Sequence, residues 1–164
     1  MLSHYIKLWS KFGRPRIIAG PFCSSPSINM RDTTSSSKGP RTTITATLSV
    51  RNGRSAIDFY KVAFDATELY RVEDEGSVIA QLSVSGADFW VADESPEHLN
   101  FSPESLGGCS VRMLLIVEDP DAVCVQAVSA GATQVAPVSE GYGWRLGRIV
   151  DPFGHHWEIG KQLM

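Results

Sequence analysis

The alternation of apolar and polar residues predicts a strand where the regular part of the chain begins. The segment TITATLSV (43–50) alternates Ile, Ala, Leu and Val with Thr and Ser, which is the period-two pattern of a half-exposed strand. The next segment, SAIDFYKVAF (55–64), places apolar residues at helical spacing, and Ser55 with Asp58 resembles a capping box. Three short strand candidates follow, TELYRVED, SVIAQLSV and DFWVAD, separated by EG and SG turns. The predicted order is βαβββ.

The same order returns after a linker, ESPEHLNFSPESLGG (94–108). SVRMLLIV (110–117) reads as a strand, Asp119 and Pro120 can cap and open a helix that runs to about Ala130, and Gly131 can end it. TQVAPVSE, WRLGRIVD and HHWEI complete the second unit. DATEL matches GATQV, LSV matches LIV and DFW matches HHW at a constant offset of 66 or 67 residues. We therefore interpret residues 42–164 as one domain of two modules, about 43–93 and 110–160.

One βαβββ unit cannot bury both faces of its sheet, whereas two units can do so by pairing. The predicted fold class is α+β, with two paired modules that form a curved, half-open barrel around a central cleft and helices outside it.

Composition and charge narrow the possible partners. With 43% hydrophobic and 20% charged residues the chain is typical of a globular protein, and no apolar run approaches the roughly 18 residues that span a bilayer. Residues 1–41 carry seven basic side chains and a single acid, a balance of +6, so the rest of the chain carries −9. This acidity makes nucleic acid an unfavourable partner for the folded part, and we expect no membrane association.

The first 41 residues read as a disordered, basic extension, because Ser, Thr, Pro and Gly dominate their second half. One interpretation is a transit peptide, which would direct the protein to an organellar matrix. The other is an extension without function, with Met30 as the true start and a cytoplasmic protein.

Residues 43–162 resemble the vicinal oxygen chelate superfamily, which contains glyoxalase I, extradiol dioxygenases, fosfomycin-resistance enzymes and bleomycin-binding proteins. The resemblance rests on AIDFYKVAFDATELYRVEDEG in the first module, and on SPESLGGCSVRMLLIVEDPDAV, AVSAGAT and DPFGHHWEIG in the second. These motifs are most similar to the PhnB-like branch. The resemblance is specific for the fold and much less so for function, because the superfamily hosts many chemistries.

In metal-dependent members of that superfamily, four ligands come from the opening and closing strands of the two modules. Carried over to this sequence, their positions fall at Thr45, Val91 (with Ala92 beside it), Arg112 and Glu158. Glu158 alone keeps a ligand-type side chain, and Arg112 places a fixed positive charge where the ion would lie. No cofactor is predicted, and an Arg112–Glu158 ion pair is expected in the metal's place. A divalent metal held by an unusual ligand set, such as His156 with Glu158, is the alternative.

Strand alternation nominates the other cleft residues. In HHWEI, His156 and Glu158 share one face, while His155, Trp157 and Ile159 share the other and pack under the helix. Thr45, Thr47 and Ser49 form the polar face of the first strand. Trp90 lines either the cleft or the core, and EGYGWRLG (140–147) forms either a hairpin or a mobile flap. His4 and His98 are expected to be solvated.

The predicted ligand-binding set is Thr45, Thr47, Trp90, Arg112, His156 and Glu158. None of these is singled out as a catalytic residue, although His156 has the chemistry of a general base. Three functions remain open: a PhnB-like protein that binds a small organic molecule without a metal, a metal-dependent lyase or dioxygenase, and an antibiotic-sequestering protein that attracts a cationic ligand. Relatives commonly dimerise and build the cleft jointly, so we expect a homodimer.

Overall fold

The structure is a computed structural model that describes residues 42–163. These residues belong to one compact unit. The predicted disordered extension, its two interpretations and His4 lie outside the described residues. No helix of the described range is long and apolar enough to cross a bilayer.

Module one forms a four-stranded sheet with one long helix. Its elements are β1 (Thr47–Val50), α1 (Gly53–Phe64), β2 (Thr67–Asp74), β3 (Ser77–Val84) and β4 (Ala87–Asp93). The strand order is β1-β4-β3-β2, in which β1 runs parallel to β4 and the other pairs are antiparallel.

Module two repeats this arrangement after a linker that contains a 3₁₀ turn (Pro96–His98) and the short helix α2 (Pro103–Leu106). Its elements are β5 (Arg112–Ile116), α3 (Pro120–Ser129), β6 (Thr133–Gly141), β7 (Trp144–Val150) and β8 (His156–Gln162). The order β5-β8-β7-β6 and the parallel β5–β8 pair match module one. The predicted α+β fold of two βαβββ modules is confirmed, and over residues 42–163 the sheets do not close into a barrel.

Three hairpins connect the antiparallel strands through two-residue turns that end in glycine: Glu75–Gly76, Ser85–Gly86 and Tyr142–Gly143. Both residues of each turn have positive φ, between 50° and 91°, as a type I′ turn requires. The predicted EG and SG turns are therefore confirmed. The segment 140–147 is a hairpin, with Tyr142 fully exposed at its tip.

The start of α1 differs from the expectation. Asn52, not Ser55, caps the helix, because the Asn52 side chain accepts a hydrogen bond from the Ser55 amide at 3.0 Å. The predicted capping box is therefore wrong, and the helix begins two residues earlier. A Cβ on Gly53 would lie 2.3 Å from Val78 Cγ1, so the first helical residue packs directly on β3. In module two the predicted Asp119 cap is confirmed by a 3.0 Å bond from the Ala122 amide.

One hydrophobic core serves both modules. Trp157 of β8 is 3% exposed, and its ring centroid lies 4.8 Å from Phe64 and 5.6 Å from Tyr60, both on α1 of module one. The two long helices also touch, because Gln126 Nε2 donates to the Val62 carbonyl at 2.8 Å. The modules therefore pack on each other through the sides that carry their helices. The opposite face of each sheet, called the open face below, is covered by neither helix.

Candidate functional site

The six predicted site residues lie in two groups on or beside the two open faces. Thr45, Thr47 and Trp90 belong to module one, and Arg112, His156 and Glu158 belong to module two. Within residues 42–163, no hydrogen bond, ion pair or ring contact joins the two groups. We call each group one half of the candidate site.

The half on module two is organised around an ion pair. Arg112 Nη1 lies 3.1 Å from Glu158 Oε1, with 56% of the arginine side chain and 24% of the glutamate side chain exposed. The strand register explains the pair, because Arg112 lies opposite His156, one step along the open face from Glu158. The predicted Arg112–Glu158 ion pair is confirmed.

The two neighbouring histidines have different surroundings, as strand alternation predicts. His156 is half-buried on the open face. His155 is buried on the other side, where its Nε2 lies 3.0 Å from the Ser49 carbonyl of module one. His155 therefore joins the modules rather than the site.

The turn before β8 holds a buried carboxylate that the sequence did not single out. Asp151 Oδ2 accepts from Tyr60 Oη at 2.6 Å and Trp157 Nε1 at 3.0 Å, and Oδ1 accepts from the amides of Phe153 and His155 at 2.9 Å each. Burial, and then the Asp151 charge, raises the pKa of Tyr60 well above its usual value, so the phenol keeps the proton that it donates. DPFGHHWEIG therefore forms a structural junction on one face and carries candidate site residues, His156 and Glu158, on the other.

The half on module one is more apolar. Trp90 is half-buried and packs edge-on against Tyr70, with ring centroids 6.1 Å apart. Its register partner across the parallel pair is Thr47, which is exposed at the start of β1. Trp90 therefore lines the open face, which decides between the two predicted positions.

Three details of the sequence-based placement change. Val91 is fully buried on the helix side, so it cannot be the counterpart of Glu158. The register pairs Leu114 with Glu158 and Thr47 with Trp90, which makes Trp90 the counterpart of Glu158.

Ser49 is only 7% exposed and hydrogen-bonded to Asn100 of the linker, so it is not an accessible residue of the polar face. Thr45 is exposed and precedes β1 rather than lying within it.

Comparisons with known proteins show which fold this arrangement shares. A scan against protein-family models finds no match. An uncharacterised protein of Mycobacterium tuberculosis is 42% identical over 122 residues, which cover 71% of this chain and 72% of the relative. The solved structure of an Arabidopsis thaliana gene product shares 30% identity with a TM-score of 0.58, over 73% of this chain and 98% of that one. A glyoxalase/bleomycin resistance protein/dioxygenase family enzyme of Burkholderia phytofirmans has the same fold at 18% identity, with a TM-score of 0.57 over 71% of this chain and 95% of that one.

The chain has the fold of the glyoxalase/bleomycin resistance protein/dioxygenase family, which is the fold of the vicinal oxygen chelate superfamily. The four positions that hold a metal in its metal-dependent members can therefore be tested here for fit. The structure puts them at Thr45, Trp90, Arg112 and Glu158. An indole offers a metal no lone pair, an arginine cannot lose its charge, and the Glu158 oxygen is engaged by Arg112. No group of three or more His, Cys, Asp or Glu residues within 42–163 is arranged to hold a metal. These residues do not fit the chelate after which the superfamily is named.

One further residue of the open face was missed from the sequence. Arg148 on β7 is the register partner of Glu158, and its neighbours Gly147 and Ile149 pack towards the helix side. The signal was present in WRLGRIVD, where Arg148 alternates with these two buried residues. This alternation identifies Arg148 as a neighbour of Glu158 only when the β7–β8 register is known.

The surface grooves do not coincide with the six predicted residues. A groove of about 1110 Å³ runs between the β3–β4 turn and the ends of β5 and β8, and it includes Leu114 and Ile116. A smaller one, of about 340 Å³, lies between α3 and β6. Neither is lined by any of the six residues. We assign the candidate site to the open faces, which share Leu114 and Ile116 with the larger groove, because the charged and aromatic candidates lie on these faces.

Proposed function

We propose that this chain is a PhnB-like member of the superfamily that binds a small organic molecule between its open faces, without a metal ion held by the four inherited positions. The observation that carries the proposal is the Arg112–Glu158 contact of 3.1 Å. A guanidinium at this place repels a divalent cation and offers fixed hydrogen-bond donors to a ligand instead.

The composition of the two halves supports an organic ligand. Binding sites for small molecules combine apolar walls with a few placed polar groups. Trp90 and Tyr70 supply an aromatic wall in module one, and Leu114 and Ile116, which are 47% and 63% exposed, supply an aliphatic one beside Arg112. His156 adds a group that can hydrogen-bond or exchange a proton near neutral pH.

We propose further that two copies complete the site. The two halves in one chain do not meet, and the strands that bear Arg112 and Thr47, β5 and β1, are the edges of their sheets. A second copy that lays its module one against module two of the first would cover Leu114 and Ile116 and bring the halves together. A homodimer with two equivalent sites follows from this arrangement.

Amide NMR spectra of the full-length, isotope-labelled chain test this function. We expect fragments from a library of small aromatic and aliphatic molecules to shift the signals of Trp90, Arg112 and His156 together. Binders that shift only residues of the α3–β6 groove, such as Val125 and Gln134, would contradict the assignment of the site.

A further inference from the structure

Arg148 is the one Lys or Arg of residues 42–163 that has no carboxylate partner. Residues 42–163 contain eight Lys and Arg side chains, and the other seven each lie within 4.0 Å of a carboxylate oxygen. Arg148 forms no such pair, although its register partner is Glu158. Glu158 makes its ion pair with Arg112 instead.

The unpaired guanidinium is also partly desolvated. Arg148 Nε is the one buried side-chain nitrogen or oxygen within residues 42–163 that has no hydrogen-bond partner. A buried N–H without an acceptor destabilises a fold, and native proteins retain few of them. Retaining one on the open face is explained if a ligand supplies the acceptor.

The residues around Arg148 indicate the charge and polarity of that ligand. The strand register arranges the open face of module two in three rows, and each row takes one residue from β5, one from β8 and one from β7. The rows are Arg112, His156 and Val150; Leu114, Glu158 and Arg148; and Ile116, Gly160 and Leu146. With two guanidinium groups and one carboxylate, the surface around the middle row has a net positive charge. In the third row Leu146 packs over Gly160, where an added Cβ would lie 3.1 Å from Leu146 Cδ1. The third row therefore offers an apolar surface made by Ile116 and Leu146.

We propose that the open face of module two binds a small amphiphilic anion, with its carboxylate or phosphonate oxygens on Arg148 and Arg112 and its apolar body against Ile116 and Leu146. The guanidinium of Arg148 would donate through Nε and one terminal nitrogen to two oxygens of the same group, which both planar carboxylates and tetrahedral phosphonates allow. The inference names the ligand class of the proposed site and therefore rests on the proposed function.

Calorimetric titration of the full chain with four matched probes tests the ligand class. Benzoate and phenylphosphonate carry the anionic head, benzamide is neutral, and benzylamine is cationic. Because a charge-assisted hydrogen bond is stronger than a neutral one, we expect both anions, or the better of them, to bind about tenfold or more tightly than benzamide. Benzylamine should bind weakest. The ratio of benzoate to phenylphosphonate distinguishes a planar from a tetrahedral head.

Two variants locate the anion. Arg148→Met should weaken binding of the preferred anion about tenfold or more while leaving benzamide binding within about twofold. Arg54→Met, which removes an equal charge from an exposed pair with Glu73, should change neither. Folding is not at risk, since Arg148→Met removes an unsatisfied buried donor and should match or exceed the parent in thermal stability.

The outcomes separate this inference from the proposed function. If benzamide or benzylamine binds the open face as tightly as the anions, or if anion binding survives in Arg148→Met, the inference is wrong and the function stands. If no probe of any charge shifts open-face signals, both fail. If Arg148→Met dissociates the protein in light scattering without changing anion binding, the acceptor is a carboxylate of a second copy, and the inference is overturned.

Discussion

Arg112 changes the chemistry of a whole site by a single side chain. A histidine or glutamine in its place would leave Glu158 free to bind a cation, whereas the guanidinium occupies the Glu158 oxygen at 3.1 Å. With more than half of the Arg112 side chain exposed, the pair contributes modestly to stability, on the order of 1 kcal/mol or less. We therefore expect Arg112 to act mainly on which ligands the open face accepts and only slightly on the stability of the fold.

Asp151 contributes far more to stability, because it is 3% exposed and accepts four hydrogen bonds. In Asp151→Asn an amide group would replace one carboxylate oxygen, and at least one buried donor, from Tyr60 or Trp157, would lose its acceptor. We expect a loss of about 3 kcal/mol in the free energy of unfolding, measured by urea denaturation.

The control for this variant is Asp88→Asn. Asp88 is exposed and accepts a bond from Gln81 Nε2 at 3.2 Å, so its loss should stay within about 0.5 kcal/mol. Equal losses in the two variants would show that the junction does not hold the modules together.

At the level of single residues, the sequence predicted positions only where a periodic pattern constrained them. Alternation along HHWEI correctly separated His156 and Glu158 from Trp157. Val91 was misplaced because the match of DFWV to HHWE compares the sequences alone. The correct counterpart depends on the register of each strand pair, which sequence similarity does not give. Arg148 was missed for the same reason, since its pairing with Glu158 is a contact between strands.

At the level of elements, the linker between the modules is held by Glu94. Its carboxylate accepts from the Ser102 amide at 2.8 Å and from Ser105 Oγ at 2.9 Å, and Arg51 Nε lies 3.4 Å away. These contacts, the Ser102 amide first, lower the pKa of Glu94 to about 2 from an unfolded value of 4.5. The carboxylate fixes the start of α2 against β1.

A lowered pKa in the folded state gives a stability contribution that is present above the unfolded pKa and lost as pH falls through the folded one. We therefore expect Glu94→Gln to lower the melting temperature at neutral pH, and the difference from the parent to shrink between pH 4.5 and about 2. Thermal unfolding across that range measures it. Glu75→Gln, in the exposed β2–β3 turn, is the control and should show no such trend; a constant difference for Glu94→Gln would contradict the linkage.

Most elements were predictable because each has a strong local signal. The βαβββ repeat, the glycine turns and the Asp119 cap depend on spacing within a few residues. The start of α1 was missed because Asn52 caps a helix whose first residue, Gly53, is a poor helix former. The packing of Trp157 under the helix of the other module was not predictable, because it is set by how the modules meet.

At the scale of the whole molecule, the exposed apolar residues of β5 predict a homodimer. Ile116→Lys should dissociate the dimer, because a charge on this edge strand cannot be buried against a second copy. Val62→Lys on α1 is the matched control, since Val62 is 61% exposed and Ile116 is 63% exposed. Light scattering after size exclusion measures the mass.

A parent chain that is monomeric at all concentrations would contradict the two-copy site. So would an Ile116→Lys variant that remains dimeric while Val62→Lys does not, because the interface would then lie on the helix side.

Arg112 and Glu158 form an ion pair at the place where metal-dependent members of the superfamily hold a metal ion. Calorimetric titration of the full-length protein, purified without chelator, with Ni²⁺, Zn²⁺ and Fe²⁺ tests it most directly, with Glu158→Ala titrated in parallel. We predict no stoichiometric binding that depends on Glu158, so the two proteins should give the same heats. One equivalent of metal bound by the parent and lost in Glu158→Ala would contradict the account.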